Sequence, residues 1–355
     1  MQRIGQRVLF YGLIGLLACL MSVTDGLPQA QASCGSVTCF LVIGSQAGVP
    51  TKGTLTTNFI YNYIPQGTLL DGTAGIIPAV EVDDRKIVLN EHREIRTISQ
   101  FYTMDLNYGL TDRFAIQATL PYIVRSHRHN IEQGTPGEEA TLFTDNGLGD
   151  LRLTAKYNIL PTLRSVVVLG AGIELPTGKF NQNVKVNGMQ STQEPPVQLG
   201  RGNVGLIGTF YQAYELIPHR LNQFSSASYR HTFRNDNGYQ FGDEYLLNIG
   251  MNVQALDWLV LTGQFNWRYL VHDNFSGSLE SHPGGVVLDT NITDRRVPNT
   301  GSTTLMFTPG FTVAAWPGTA LYFNAQVPVV RDFNNNLAQG VSYVAGVTKS
   351  FQLFQ

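Results

Sequence analysis

Beyond residue 32 the chain has no apolar run near the about 20 residues that a membrane-crossing helix needs, which excludes helical spanning there. Charge is scarce. Asp, Glu, Lys and Arg make up 14% of the residues, against roughly 25% in ordinary soluble domains. Neither sign dominates, since the formal net charge is −2, and nothing in that balance favours a nucleic-acid partner. Only three cysteines occur: Cys19, Cys34 and Cys39. There is no Gly-x-Ser-x-Gly elbow, no Walker loop and no His-Glu-x-x-His, so no enzyme class announces itself. Few windows sustain the 3.6-residue period of an amphipathic helix. What is abundant is glycine, at 36 residues, and aromatics, at 10%. That mix suits many turns and tyrosine-rich rims.

The first 32 residues read as an export signal. Arg3 and Arg7 supply a positive start, Val8 to Val23 is mostly apolar, and Ala30-Gln31-Ala32 fits a small-x-small cleavage site. The competing readings are a transmembrane anchor, for which the run is short, and lipidation at Leu16-Leu17-Ala18-Cys19, past which the apolar run continues. Cleavage removes Arg3, Arg7 and Asp25 and moves the net charge from −2 to −3. Residues 33–52 then form an N-terminal periplasmic segment. Within it Cys34 and Cys39 are expected to close a small disulfide loop in an oxidising compartment. Two cysteines without a nearby histidine are too few ligands for a metal.

From residue 53 to 355 one pattern repeats. Leu151-Arg152-Leu153-Thr154-Ala155-Lys156-Tyr157-Asn158-Ile159 places an apolar side chain at every odd position and a polar one at every even position. A strand points successive side chains to opposite faces, so this segment has one greasy face and one wet, charged face. Twelve such strands are predicted, at about 53–63, 92–109, 113–126, 148–159, 165–176, 202–215, 221–232, 243–255, 258–270, 302–315, 319–330 and 340–354. Short turns such as Leu110-Thr111-Asp112 and Trp316-Pro317-Gly318 alternate with long polar connections. A soluble β-sandwich would also alternate in polarity, but its strands are more often five or six residues long. The predicted fold is all-β: a transmembrane antiparallel up-and-down barrel of about 12 strands, with short periplasmic turns and long extracellular loops, in a bacterial outer membrane. Pro309 lacks a ladder donor, so a bulge or break is expected there.

The alternation assigns faces. Tyr245, Leu247, Ile249, Met251, Leu261, Phe265, Leu321 and Phe323 should meet lipid. The lumen should receive Asp105, Arg113, Gln117, Arg125, Asp150, Arg152, Lys156, Glu174, Glu215, Arg230, Glu244, Asn252, Gln264, Asn266, Arg268, Asn324 and Gln326, with Trp258 at one strand start. The opposite register would put arginine or lysine against hydrocarbon, at about 2–4 kcal/mol each near the midplane. Tyr61, Tyr122 and Tyr269, near the long loops, and Tyr108, Tyr157 and Tyr214, near the short turns, are placed to form two interfacial girdles. Ser228 and His231 have opposite parity, so they cannot share a face as a nucleophile and its base would. His127 and His129 share a face; a metal site there competes with a solvated loop flank. No cofactor is called for.

Such a lumen suits passive diffusion of small solutes through a lipid-embedded channel. The alternative is a non-conducting barrel whose charges pair across it, acting as a scaffold or sheath for a periplasmic partner. A barrel enzyme ranks third.

Asn146-Gly147-Leu148-Gly149-Asp150-Leu151-Arg152, with Tyr108-Gly109-Leu110-Thr111-Asp112-Arg113-Phe114 and Leu175-Pro176-Thr177-Gly178, resembles the outer-membrane barrel family named for the MetA pathway of phenol degradation. The resemblance covers roughly residues 90–355. It implies an outer-membrane barrel passing small, hydrophobic or aromatic, organic molecules, and it brings no catalytic residues.

Overall fold

A computed structural model describes residues 35–38, 41–43, 47–71, 80–83, 86–89, 92–131, 139–181, 183–186, 189–192, 195–281, 290–297 and 300–353. The export signal, Cys34 and Cys39 lie outside these residues. Twelve antiparallel strands close into a ring. They are β1 (Thr54–Asp71), β2 (His92–Gly109), β3 (Phe114–Ile131) and β4 (Leu151–Asn158). Next come β5 (Ser165–Leu175), β6 (Gly205–Ile217), β7 (Leu221–Thr232) and β8 (Glu244–Leu256). The ring ends with β9 (Leu259–Leu270), β10 (Ser302–Trp316), β11 (Thr319–Gln339) and β12 (Ser342–Gln352). Each strand pairs with its chain neighbour, and β12 returns to β1 from Tyr343↔Tyr63 to Gln352↔Thr54. Closure leaves no unpaired edge in hydrocarbon, which is the condition for a sheet to cross a bilayer.

The outside is apolar. Phe59, Ile116, Leu169, Ile249, Leu261, Phe265 and Val329 are all exposed. In water such a surface would be an aggregation liability; in a bacterial outer membrane it is the lipid face. Toward the long loops, Tyr229, Tyr245 and Tyr269 stand in a row across β7, β8 and β9, with ring centroids 5.1 and 6.2 Å apart. Tyr61 and Tyr102 continue the band at 5.1 Å. Tyrosine there keeps its ring in apolar material and its hydroxyl in the polar zone.

Turn chemistry fixes the periplasmic end. The Thr111 hydroxyl accepts the N–H groups of Arg113 and Phe114 at 3.2 and 2.9 Å, folding Leu110–Arg113 into a tight turn. Arg113 is therefore an exposed turn residue, not a lumen residue as its parity suggested. Trp258 likewise sits in a turn and is exposed, so it does not face the lumen. Gly318 adopts φ of 67° after Pro317, as a type II turn requires. At Pro309 pairing to β9 persists (Gly263↔Pro309), while pairing to β11 lapses at residues 308 and 309. The register shift itself lies opposite Pro328, between Leu305 and Met306. Two prolines on adjacent strands share the disturbance, and the second lets the ladder absorb it.

The strands run further than the alternation indicated. β1 extends to Asp71 and β11 to Gln339, where they pair with each other above β12. Glu139–Leu148 continues upward from β4, pairing with the distal half of β3. Five short strands among the long loops form a second small sheet.

Candidate functional site

Two of the motifs meet at the extracellular end of the wall. The Thr177 hydroxyl donates to the Gly149 carbonyl at 2.9 Å and accepts the Leu151 N–H at 2.9 Å. Asp150 accepts the Gly178 N–H at 2.9 Å and the Arg201 N–H at 2.8 Å. Burial pushes the Asp150 carboxyl up, and those two backbone donors oppose the shift. Gly149 is closely packed: a Cβ there would lie 2.9 Å from the Ile123 Cδ1 and 3.0 Å from the Pro121 Cγ, so the Ile123 side chain would have to move. The result is a clamp holding both ends of the β5–β6 connection.

That connection turns inward. Its last stretch, Pro195 to Arg201, packs against the inner wall. Arg125 on β3 donates to the Gln198 carbonyl at 2.8 Å and to the Pro196 carbonyl at 3.3 Å. Leu199 is buried.

Just below runs a belt of alternating charge. Arg152 on β4 donates to Glu174 on β5 at 2.7 Å. Arg230 on β7 reaches Glu174 at 3.2 Å and also bonds Glu244 on β8. Arg268 on β9 donates to Glu244 at 2.6 Å. Arg201 comes within 3.8 Å of Glu174 and lies over the Phe241 ring at 4.8 Å. Burial, and next the neighbouring Arg230, pull Arg201 down to about 10, so it stays charged near neutrality. On the intervening strand β6, Gly205 lies opposite Glu174, and a Cβ there would sit 3.0 Å from the His231 carbonyl oxygen and 3.3 Å from the Glu174 Cβ.

The belt divides the lumen. Above it a cavity of about 320 Å³ is bounded by Arg125, Arg152, Glu174, Arg230, Arg268, Asp150 and Arg201, with Phe101, Phe241 and Phe333. Below it a cavity of about 280 Å³ touches Gln117, Lys156, Glu244, Ser228 and Tyr211. Arg125, Arg152, Arg230 and Arg268 border both.

The other expected lumen residues are placed differently. Asp105 is buried and accepts Gln117 at 2.6 Å and Thr119 at 2.5 Å. Gln264, Asn266, Asn324 and Gln326 are fully or almost fully buried and border neither cavity. Asn266 donates to Asn248 at 2.7 Å and accepts Thr308 at 2.5 Å. They face inward but are packed, and the amide nitrogens of Gln264, Asn324 and Gln326 have no hydrogen-bond partner among the described residues. Asn252 accepts Thr262 at 2.8 Å. Glu215 is half-buried near the periplasmic end, at a register shift, away from both cavities. His127 is held by Thr97 at 2.9 Å and faces Glu94 at 3.3 Å. His231 pairs with Asp243 at 2.7 Å, while Ser228 borders the lower cavity. Arg201 had no alternation to mark it; the Gly-Arg-Gly at the end of a long connection was the only signal.

At the periplasmic end the third motif docks the N-terminal segment. Asp112 accepts the Lys52 N–H at 3.0 Å, and the Gly53 N–H donates to the Gly109 carbonyl at 2.8 Å. A Cβ on Gly109 would lie 2.4 Å from two backbone carbonyls of that segment. Asn107 then donates to the Gly48 carbonyl at 3.1 Å, and Ala47 borders the lower cavity.

Comparison with known proteins agrees with this architecture. The family model for the MetA pathway of phenol degradation matches residues 94–282. The chain belongs to that family. Its matched region spans both halves of the clamp and the whole charged belt. Among solved structures, the COG4313 outer membrane channel from Pseudomonas putida F1 is similar at a TM-score of 0.53 and 12% identity, covering 86% of this chain and 97% of that one. The toluene transporter TbuX from Ralstonia pickettii is similar at a TM-score of 0.41 and 12% identity, covering 85% and 90%. No curated protein matches the sequence.

Proposed function

We propose that the barrel is an outer-membrane channel for passive diffusion of small solutes, hydrophobic or aromatic ones included. The observation that carries this reading is the pair of cavities stacked on either side of one layer of side chains. A partition that thin is a constriction, and constrictions lined by charge select solutes. The aromatic part rests on the family's tie to phenol degradation and on Phe101, Phe241 and Phe333 in the upper wall. Residues 33–52, ahead of the barrel, are proposed to sit on the periplasmic side.

One observation favours a second reading, a non-conducting scaffold or sheath for a periplasmic partner. Pro195–Arg201 folds in from one end and the segment at Gly48 approaches from the other. Planar-bilayer recording of the refolded mature protein separates the two. Discrete conductance steps, then swelling of liposomes in neutral and aromatic solutes, are expected. An inserted protein that leaves the bilayer sealed ends the channel reading.

A further inference from the structure

The belt shows two different faces. The side chains of Glu174 and Glu244 are 1% and 8% exposed, whereas those of Arg152, Arg201, Arg230 and Arg268 are 30%, 17%, 16% and 23% exposed. The carboxylates lie beneath and the guanidiniums form the surface. Four arginines over two glutamates leave a formal excess of two positive charges. The other acids bordering the upper cavity are turned to structural partners. Asp150 accepts two backbone N–H groups. Asp273 accepts the Gly242 N–H at 2.6 Å and the Tyr239 hydroxyl. Glu94 faces His127. Three phenyl rings border the same space among aliphatic and polar residues: Phe101, Phe333 and Phe241, which already carries Arg201.

We propose that the upper cavity is a binding site for a small aromatic carboxylate, held by Arg152, Arg201 and Arg268 and stacked among Phe101, Phe241 and Phe333. A planar guanidinium fork matches a carboxylate in two parallel hydrogen bonds. Those phenyl rings offer a flat ring an apolar contact that a hydrated inorganic anion cannot use. Arg230, bonded to both glutamates, holds the layer together. The site deepens the channel reading by naming a solute class, but binding stands without conduction.

The test uses the mature, folded barrel in detergent and titrates benzoate, phenol, benzylamine and inorganic phosphate by calorimetry. Benzoate is expected to bind, with phenol, benzylamine and phosphate each at least about tenfold weaker, the worth of one charge-assisted hydrogen bond. Arg201→Gln and Arg152→Gln are each expected to weaken benzoate about tenfold, with heat-modifiable gel mobility showing that both variants fold. Equal binding of benzoate and benzylamine, phosphate as tight as benzoate, or unchanged affinity in both variants overturns the proposal. In bilayers, benzoate should reduce the current and the reversal potential should show anion preference. A barrel that binds benzoate but carries no current keeps the site and ends the channel reading; one that conducts without binding benzoate does the reverse.

Discussion

Strands β10, β11, β12 and β1 present no charged side chain to the lumen along Ser302–Trp316, 319–330, Ser342–Gln352 and 54–66; Lys349, the one charge there, points outward. Strands β4, β5, β7, β8 and β9 present Arg152, Lys156, Glu174, Arg230, Glu244 and Arg268. The neutral wall is largely filled and touches the cavities only at Ile64, Gln66 and Ser302. Asn58, Asn62, Thr308, Asn324 and Gln326 are all at most 3% exposed, and Ile60, Tyr322 and Val344 form an apolar core inside the barrel. The charged wall borders both cavities. Desolvation explains the difference. Burying a neutral amide costs far less than burying a charge, even where an amide atom is left without a partner among the described residues, as at Asn58 and Asn62. Charge therefore keeps one side hydrated, and its absence lets the other side close.

Perturbing each wall sharpens that contrast. Arg230→Met removes the residue shared by Glu174 and Glu244 and should destabilise the barrel by about 3–5 kcal/mol, read as a lower urea midpoint in vesicles. Adding Glu174→Gln should recover part of the loss. Leu247→Arg, on the lipid face, should cost about 2–4 kcal/mol in the same assay. Thr308→Val, on the neutral wall, removes the hydroxyl that donates to Asn266 at 2.5 Å; it should cost about 1–3 kcal/mol and leave the reversal potential unchanged. Lys349→Ala, outside near the periplasmic turn, removes a 2.9 Å bond to the Pro317 carbonyl and should change stability by less than about 1 kcal/mol. If Thr308→Val altered charge selectivity and Arg152→Gln did not, the assignment of the walls would be reversed.

All twelve strands were legible in the sequence because burial on one face and lipid on the other impose a strict two-residue period. The segment Leu151–Asn158 shows it with no exception. Parity also separated Ser228 from His231. What parity cannot show is lateral neighbourhood. The contact of Arg230 with Glu174 crosses the whole of β6, which no period within a single strand reveals. Nor does parity distinguish an inward residue that meets water, such as Arg152, from one that meets another amide, such as Gln264. Turns end its authority altogether, as Arg113 and Trp258 demonstrate. Arg201 and the inward fold of Pro195–Arg201 follow from Asp150 capturing a backbone amide 51 residues away.

Thiol accessibility tests the two-walled lumen most directly. In a Cys34→Ser, Cys39→Ser background, Ser228→Cys on the charged wall and Thr308→Cys on the neutral wall are exposed to a charged, membrane-impermeant methanethiosulfonate in proteoliposomes. The account predicts rapid modification at position 228 and protection at position 308; equal rates at the two positions would contradict it.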